Sequence, residues 1–139
     1  MLDCLIVGDS IAVGLHQQRP ECVSYSHSGW NSWQWNKKYK DKSLAAKTVI
    51  ISLGSNDHQY VRTIWELQEL RSRTKADRVF WILPAGNLKA GGVDIQDIQK
   101  MVSVVAQQYS DVVLPINRLQ KDGIHPSTAG YKSIAEKTK

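Results

Sequence analysis

The chain has 139 residues, 42% of them hydrophobic and 22% charged, with a formal net charge of +5. That length supports one domain, residues 1–139, whose core removes roughly two-thirds of the unfolded chain's surface from water. No apolar run approaches the ~18–20 residues of a membrane span, and the balance is that of an ordinary soluble globular protein.

Met1 runs directly into an apolar segment, without the basic region and small-residue cleavage site of a secretory leader. The expectation is a cytoplasmic protein, with export or virion association left open. Cys4 and Cys22 are too few for a disulfide framework, and both sit in apolar runs, so buried free thiols are expected. The positive charge is spread along the chain apart from Lys37, Lys38, Lys40, Lys42 and Lys47, which read as a solvated face.

In chain order, Leu2 to Val7 is a short apolar run halted by Gly8, the pattern of a strand buried on both faces. Ser10 opens a helical stretch through Gln18, closed by Pro20. Glu21 to Tyr25 reads as a second strand, Ser26 to Asn31 as a loop around Gly29, and Ser32 to Leu44 as a helix. Thr48 to Leu53 is the clearest strand and stops at Gly54. The spacing of Val61, Ile64, Trp65 and Leu70 predicts a helix over about 59–73. Arg78 to Leu83 is a fourth strand, followed by Pro84 and a glycine-rich loop to Gly92. Ile95, Ile98, Met101, Val102, Val105, Ala106 and Tyr109 share one helical face. Asp111 to Ile116 makes a fifth strand, and Ser127 N-caps a closing helix to about Lys137.

Strand and helix alternate throughout, without repeat, linker or low-complexity segment. This predicts an α/β fold with a parallel sheet covered by helices on both faces and right-handed crossovers. Working residues of such sheets collect beyond the C-terminal strand ends. Four polar clusters fall there: Gly8-Asp9-Ser10, Ser28-Gly29, Gly54-Ser55-Asn56-Asp57 and Asp122-Gly123-Ile124-His125-Pro126.

Each cluster is ambiguous alone. Ser10 stands where a strand turns into a helix, with free N–H groups and the positive end of the dipole, as an attacking serine requires; it is equally an N-cap. Gly29 can bring a backbone N–H close to a substrate, or simply serve a loop. Asn56 can donate its amide N–H to an oxyanion, or form a turn. Asp122 and His125 have the spacing of an imidazole base and the carboxylate that orients it, but such pairs are common in turns. Their specificity lies in occurring together along one sheet edge.

These residues resemble the SGNH hydrolases, the GDSL family of esterases and lipases. Gly8-Asp9-Ser10 is similar to the first block of that family, Gly29 to the second, Gly54-Ser55-Asn56-Asp57 to the third and Asp122 to His125 to the last. Ser127-Thr128-Ala129-Gly130-Tyr131 also resembles what commonly follows that histidine. The resemblance covers nearly the whole chain. It implies a flavodoxin-like three-layer α/β/α sandwich with five parallel strands in order 2-1-3-4-5. It further implies Ser10 as nucleophile, His125 as general base and Asp122 as its orienting carboxylate. The oxyanion hole would be the N–H groups of Ser10 and Gly29 with the Asn56 side chain. Asp9 and Asp57 are given loop-stabilising roles. No metal or organic cofactor is implied.

Ile11 replaces the leucine common in the family, a change with little chemical consequence. The chain is near the family's lower limit of length, which leaves little room for a lid or acyl tunnel. A shallow site for short acyl groups, such as acetyl esters on carbohydrate, is therefore expected. Trp30, Trp33 and Trp35 are candidate sugar-stacking rings, with core and helix packing the favoured reading for all but Trp30, which adjoins Gly29; His58 is a candidate pocket residue or an exposed turn histidine. The expected partner is a small ester or acetylated carbohydrate, with no nucleic acid and no integral membrane association; oligomeric state is left open. One alternative is a catalytically weak carbohydrate- or cell-surface-binding module on the same fold, and another is a thioesterase or lysophospholipase of the same family. A nucleotide- or flavin-binding domain is disfavoured, because residues 8–14 lack the glycine pattern of a phosphate cradle.

Overall fold

A computed structural model describes residues 1–86 and 90–139. Its strands are β1 (Leu2–Gly8), β2 (Val23–Ser26), β3 (Leu44–Ser52), β4 (Thr74–Lys75), β5 (Arg78–Ile82) and β6 (Val112–Leu114). The helices are α1 (Ser10–Gln18), α2 (Ser32–Lys38), α3 (Thr63–Arg73), α4 (Ile95–Gln108) and α5 (Thr128–Lys137). The sheet runs β2-β1-β3-β5-β6, every pair parallel, and β4 adds two residues alongside the start of β3. Leaving β4 aside, this is the five-stranded order expected from the sequence.

Side chains alternate across the sheet and divide the core in two. Leu5, Val7, Val49, Ile51, Val79 and Trp81 pack with Trp35 of α2, Leu67 and Leu70 of α3, and the apolar face of α4. Cys4, Ile6, Ile50, Phe80 and Ile82 pack with Ile11, Ala12 and Leu15 of α1 and Ile134 and Ala135 of α5. A sheet buried on both faces has no room for polar alternation, which is why its strands read as unbroken apolar runs.

Helix starts follow their capping residues. The Asp9 carboxylate accepts the Ile11 N–H to cap α1, Asn31 and Gln34 form a reciprocal capping box on α2, and Asp94 and Ser127 cap α4 and α5. Three boundaries depart furthest from expectation. Helix α2 stops at Lys38, and β3 begins at Leu44, because Leu44 and Ala46 are drawn into the core. Helix α3 starts at Thr63, since residues 58–61 form a turn closed by the Val61 N–H on the His58 carbonyl at 2.9 Å. The loop expected between Pro84 and Gly92 falls partly on residues 87–89, outside the described residues.

The cysteines correct the expectation of free thiols. Cys4 and Cys22 form a disulfide, with Cα atoms 4.9 Å apart. The cause is strand register: Leu5 of β1 pairs with Val23 of β2, so the residues just before them are neighbours across the ladder. Apolar patterning placed both residues inside, but it carries no information about which strands adjoin. Disulfides persist chiefly in oxidising surroundings, so the cysteines lend the cytoplasmic expectation no support. Among the described residues no helix is long and apolar enough to cross a membrane.

The cross-link closes a loop with a sequence separation of 18 residues. In the chain-entropy account a loop of that size contributes about 3 kcal/mol. Dithiothreitol should therefore lower the unfolding free energy measured in urea by that order, and native protein should release no titratable thiol before reduction. Two thiols titrating in unreduced, denatured protein would contradict the cross-link.

Candidate active site

The C-terminal edge of the sheet is set by a close backbone approach. Gly8 has φ 147°, and a Cβ there would lie 1.9 Å from the Ser52 carbonyl oxygen. Only glycine lets β1 and β3 meet so tightly at their ends. The Asp9 N–H donates to that same Ser52 oxygen at 3.0 Å, and the His27 N–H donates to the Gly8 carbonyl at 3.0 Å. The ends of three adjacent strands are thus tied together at the edge that carries the polar clusters: Ser10 after β1, Gly29 after β2, and Asn56 after β3.

Ser10 is the first residue of α1, half-buried, and lines a pocket of about 320 Å³. Its Oγ lies 2.8 Å from His125 Nε2, a contact across 115 positions of sequence. His125 Nδ1 lies 2.7 Å from Asp122 Oδ2. Because ionised Asp122 can only accept, the proton belongs on Nδ1, which leaves Nε2 to accept from the Ser10 hydroxyl. The other Asp122 oxygen accepts the backbone N–H groups of Ile124 and His125, at 2.9 and 3.0 Å. These bonds hold its carboxyl near the bottom of the carboxylate range, at about 2, with the Ile124 N–H the largest cause and the imidazole next.

The Asp122–His125 loop is braced from below. An isolated antiparallel bridge joins Leu119 and Pro126, the Gln120 N–H donates to the His125 carbonyl at 2.8 Å, and the Ser127 N–H donates to the Arg118 carbonyl at 2.9 Å. Helix α5 closes on this loop at Gly130, where a Cβ would meet the Arg118 carbonyl oxygen at 2.3 Å. The imidazole is thereby presented from a short fixed loop.

Asn56 lines the same pocket as Ser10 and His125. Its Nδ2 donates to the Trp30 carbonyl at 3.1 Å, which fixes the amide and leaves its second N–H for another acceptor. Gly29 stands in the adjoining loop with φ 82°, exposed, and is not among the pocket's lining residues. The Trp30 ring stacks on His27, 3.8 Å between centroids, so this residue meets the pocket through its carbonyl on Asn56 and not through its indole. His58 does line the pocket. Of the other two tryptophans, Trp35 is buried and donates its indole N–H to the Tyr25 carbonyl, whereas Trp33 is exposed.

Two buried carboxylates underlie the site. Asp57 accepts from the Ser32 N–H at 2.8 Å, the Ser32 hydroxyl at 2.6 Å and the Thr63 hydroxyl at 2.8 Å, joining the first residues of α2 and α3 to the Asn56 loop. Asp9 is fully buried, and its Oδ2 has no partner among the described residues. Burial, opposed by the Ile11 N–H and reinforced by Asp57, pushes its carboxyl up to about 7. The loop-stabilising roles given to both residues in the sequence agree with these contacts. Ser32 and Thr63 were not legible as partners, since nothing in their local sequence points to residue 57. Gly91, which also lines the pocket, comes from a distant loop with no motif of its own.

No protein-family model matches the chain, and no curated protein matches it. Solved structures do. A GDSL-like lipase from Bacteroides thetaiotaomicron superposes with TM-score 0.69 at 18% identity, over 96% of this chain and 84% of that one. An acetylxylan esterase from Geobacillus stearothermophilus gives TM-score 0.64 at 18% identity, over 97% and 91%. An alpha/beta hydrolase enzyme from the metagenome of Lake Arreo gives 0.65 at 18%, over 96% and 91%. The fold is that of the GDSL, or SGNH, hydrolases.

A buried Asp9 whose carboxyl is pushed up to about 7 has a signature in stability. An acid whose folded value is raised costs stability as pH climbs from its unfolded value, near 4, to its folded value, near 7. Asp9→Asn keeps an oxygen for the Ile11 N–H and cannot ionise. Unfolding free energies from urea titration at pH 5 and pH 8 should differ less in the variant than in the wild type, by about 1–3 kcal/mol. An identical pH dependence in both proteins would contradict the buried neutral carboxyl.

Proposed function

We propose that the protein is a serine esterase that cleaves short-chain carboxylic esters through an acyl-enzyme, its single SGNH-hydrolase-like domain acting without cofactor. The observation that carries this reading is the hydrogen-bonded relay from Asp122 through His125 to Ser10, at 2.7 and 2.8 Å, with Ser10 and His125 both lining the pocket. A turn histidine satisfied by its own loop has no need of a serine 115 positions away.

In this mechanism Ser10 Oγ attacks the ester carbonyl while its proton passes to His125 Nε2. The imidazolium that forms is held by Asp122, ionised throughout the range of function. Negative charge developing on the carbonyl oxygen is met by donors fixed before reaction. These are the Ser10 N–H in the first turn of α1, which has no intrahelical acceptor, and the Asn56 amide; the Gly29 N–H belongs to the exposed loop outside the pocket lining. The tetrahedral intermediate collapses, the carbon–oxygen bond to the alcohol breaks, and His125 returns the proton to the departing oxygen. Water then enters, gives a proton to His125 and attacks the acyl carbon. Expulsion of Ser10 Oγ takes that proton back and releases the carboxylic acid.

Among the described residues, the pocket walls are Ser10, Ser55, Asn56, Asp57, His58, Gly91, Ile124 and His125, with Ile124 the single large aliphatic side chain. A pocket this small, with one large aliphatic wall, favours a short acyl group such as acetyl over a fatty chain. The likeness in fold to an acetylxylan esterase adds weight to O-acetyl groups on carbohydrate as the substrate class.

Two variants test the reading on p-nitrophenyl acetate. Ser10→Ala should abolish turnover while the thermal transition stays near that of the wild type. Asn56→Ala should lower kcat by roughly 10²–10³ with little change in KM, as expected for a donor aimed at the oxyanion. Unchanged turnover in Ser10→Ala would overturn the nucleophile, and an effect of Asn56→Ala confined to KM would overturn its role in the oxyanion hole.

A further inference from the structure

Next to the catalytic pocket lies a second concavity, of about 480 Å³, lined by Asn31, Trp33, Gln34, His58, Tyr60, Val61, Arg62 and Glu66. His58 is a wall of both, so the two adjoin at that side chain. Its floor is built by the chain that Asp57 secures: the start of α2 on one side, the turn at 58–61 and the start of α3 on the other.

Two features of its lining define what it can hold. Trp33 and Tyr60 are 51% and 82% exposed, a large aromatic area to leave in water. Between them stand side chains that donate and accept hydrogen bonds, Gln34, Arg62 and Glu66, with one cation and one anion among them. A fatty acyl chain would strip water from these charged ends without replacing their hydrogen bonds. A polyanion would meet Glu66 as well as Arg62. Flat apolar faces beside mixed donors and acceptors suit a ring with carbon–hydrogen faces and hydroxyl edges. Lys37 lies 5.0 Å over the Trp33 ring, a cation–π contact one turn along α2.

We propose that this groove is the subsite for the alcohol portion of the substrate and binds a neutral oligosaccharide. Its sugar nearest Ser10 carries the ester, and the following sugars lie against Trp33 and Tyr60. The proposal rests on the esterase reading for the position of the ester, but sugar binding in the groove is measurable without turnover. Binding energy gathered on distant sugars would be expressed at the reacting centre as a higher kcat/KM for oligomers than for single sugars.

The test uses O-acetylated xylotriose and an O-acetylated methyl xyloside as substrates, p-nitrophenyl acetate as a reference that cannot reach the groove, and unacetylated xylotriose as ligand. Wild-type kcat/KM should favour the acetylated trisaccharide over the monosaccharide by about tenfold. Trp33→Ala and Tyr60→Ala, each at an exposed position, should lower the ratio of trisaccharide to p-nitrophenyl acetate activity by about that factor. In Ser10→Ala protein, unacetylated xylotriose should shift the Trp33 indole resonance, assigned by its absence from Trp33→Phe. Ester hydrolysis with no preference for the trisaccharide and no indole shift would overturn the groove while leaving the esterase standing. An indole shift without hydrolysis of any ester would overturn the esterase and leave the groove as a sugar-binding site.

Discussion

The approach of Gly8 to the Ser52 carbonyl is the constraint on which the site depends. A side chain at residue 8 would overlap that oxygen, so the strands after which Ser10 and Asn56 follow end side by side only because this position is glycine. The Asp9 N–H and the Gly8 carbonyl then tie β1 to β3 and to the loop after β2. From there the chain has little freedom. The helix cap at Asp9 starts α1 at Ser10, and the loop after β3 must pass over Asp57, whose carboxylate gathers Ser32 and Thr63 beneath it.

The two buried carboxylates divide the work through their surroundings. Asp57 takes three hydrogen bonds from neutral donors. Asp9 takes one from Ile11 and has a second oxygen without a partner, so burial prevails and its carboxyl rises toward neutrality. Asp122, exposed and bonded to two N–H groups and an imidazole, goes the other way. The same side chain thus serves as a cap, a junction and an orienting base partner, according to what surrounds it.

Much of the site is legible in the chain because each part is local. Glycine ends a strand, a short polar cluster follows, and strand order brings those clusters to one edge. Asp122 and His125 are three residues apart, so their bond needs no knowledge of the fold. What sequence does not carry is lateral. The Cys4–Cys22 cross-link depends on β1 and β2 being neighbours in a given register, and the Asp57 junction on where two later helices begin. The fate of the tryptophans is lateral too: Trp35 points into the core, Trp30 stacks on His27, and Trp33, two residues from the buried one, stays outside. Helical phase separates Trp33 from Trp35, yet only the packed position of α2 says which of them meets the sheet.

The account centres on a serine made nucleophilic by His125. Treatment of the folded protein with a serine-reactive organophosphorus ester such as diethyl p-nitrophenyl phosphate, followed by peptide mass spectrometry, measures that directly. One diethylphosphoryl group on Ser10, lost in His125→Ala and absent from unfolded protein, is the result predicted. An unmodified Ser10 in folded protein, or modification that persists without His125, would contradict it.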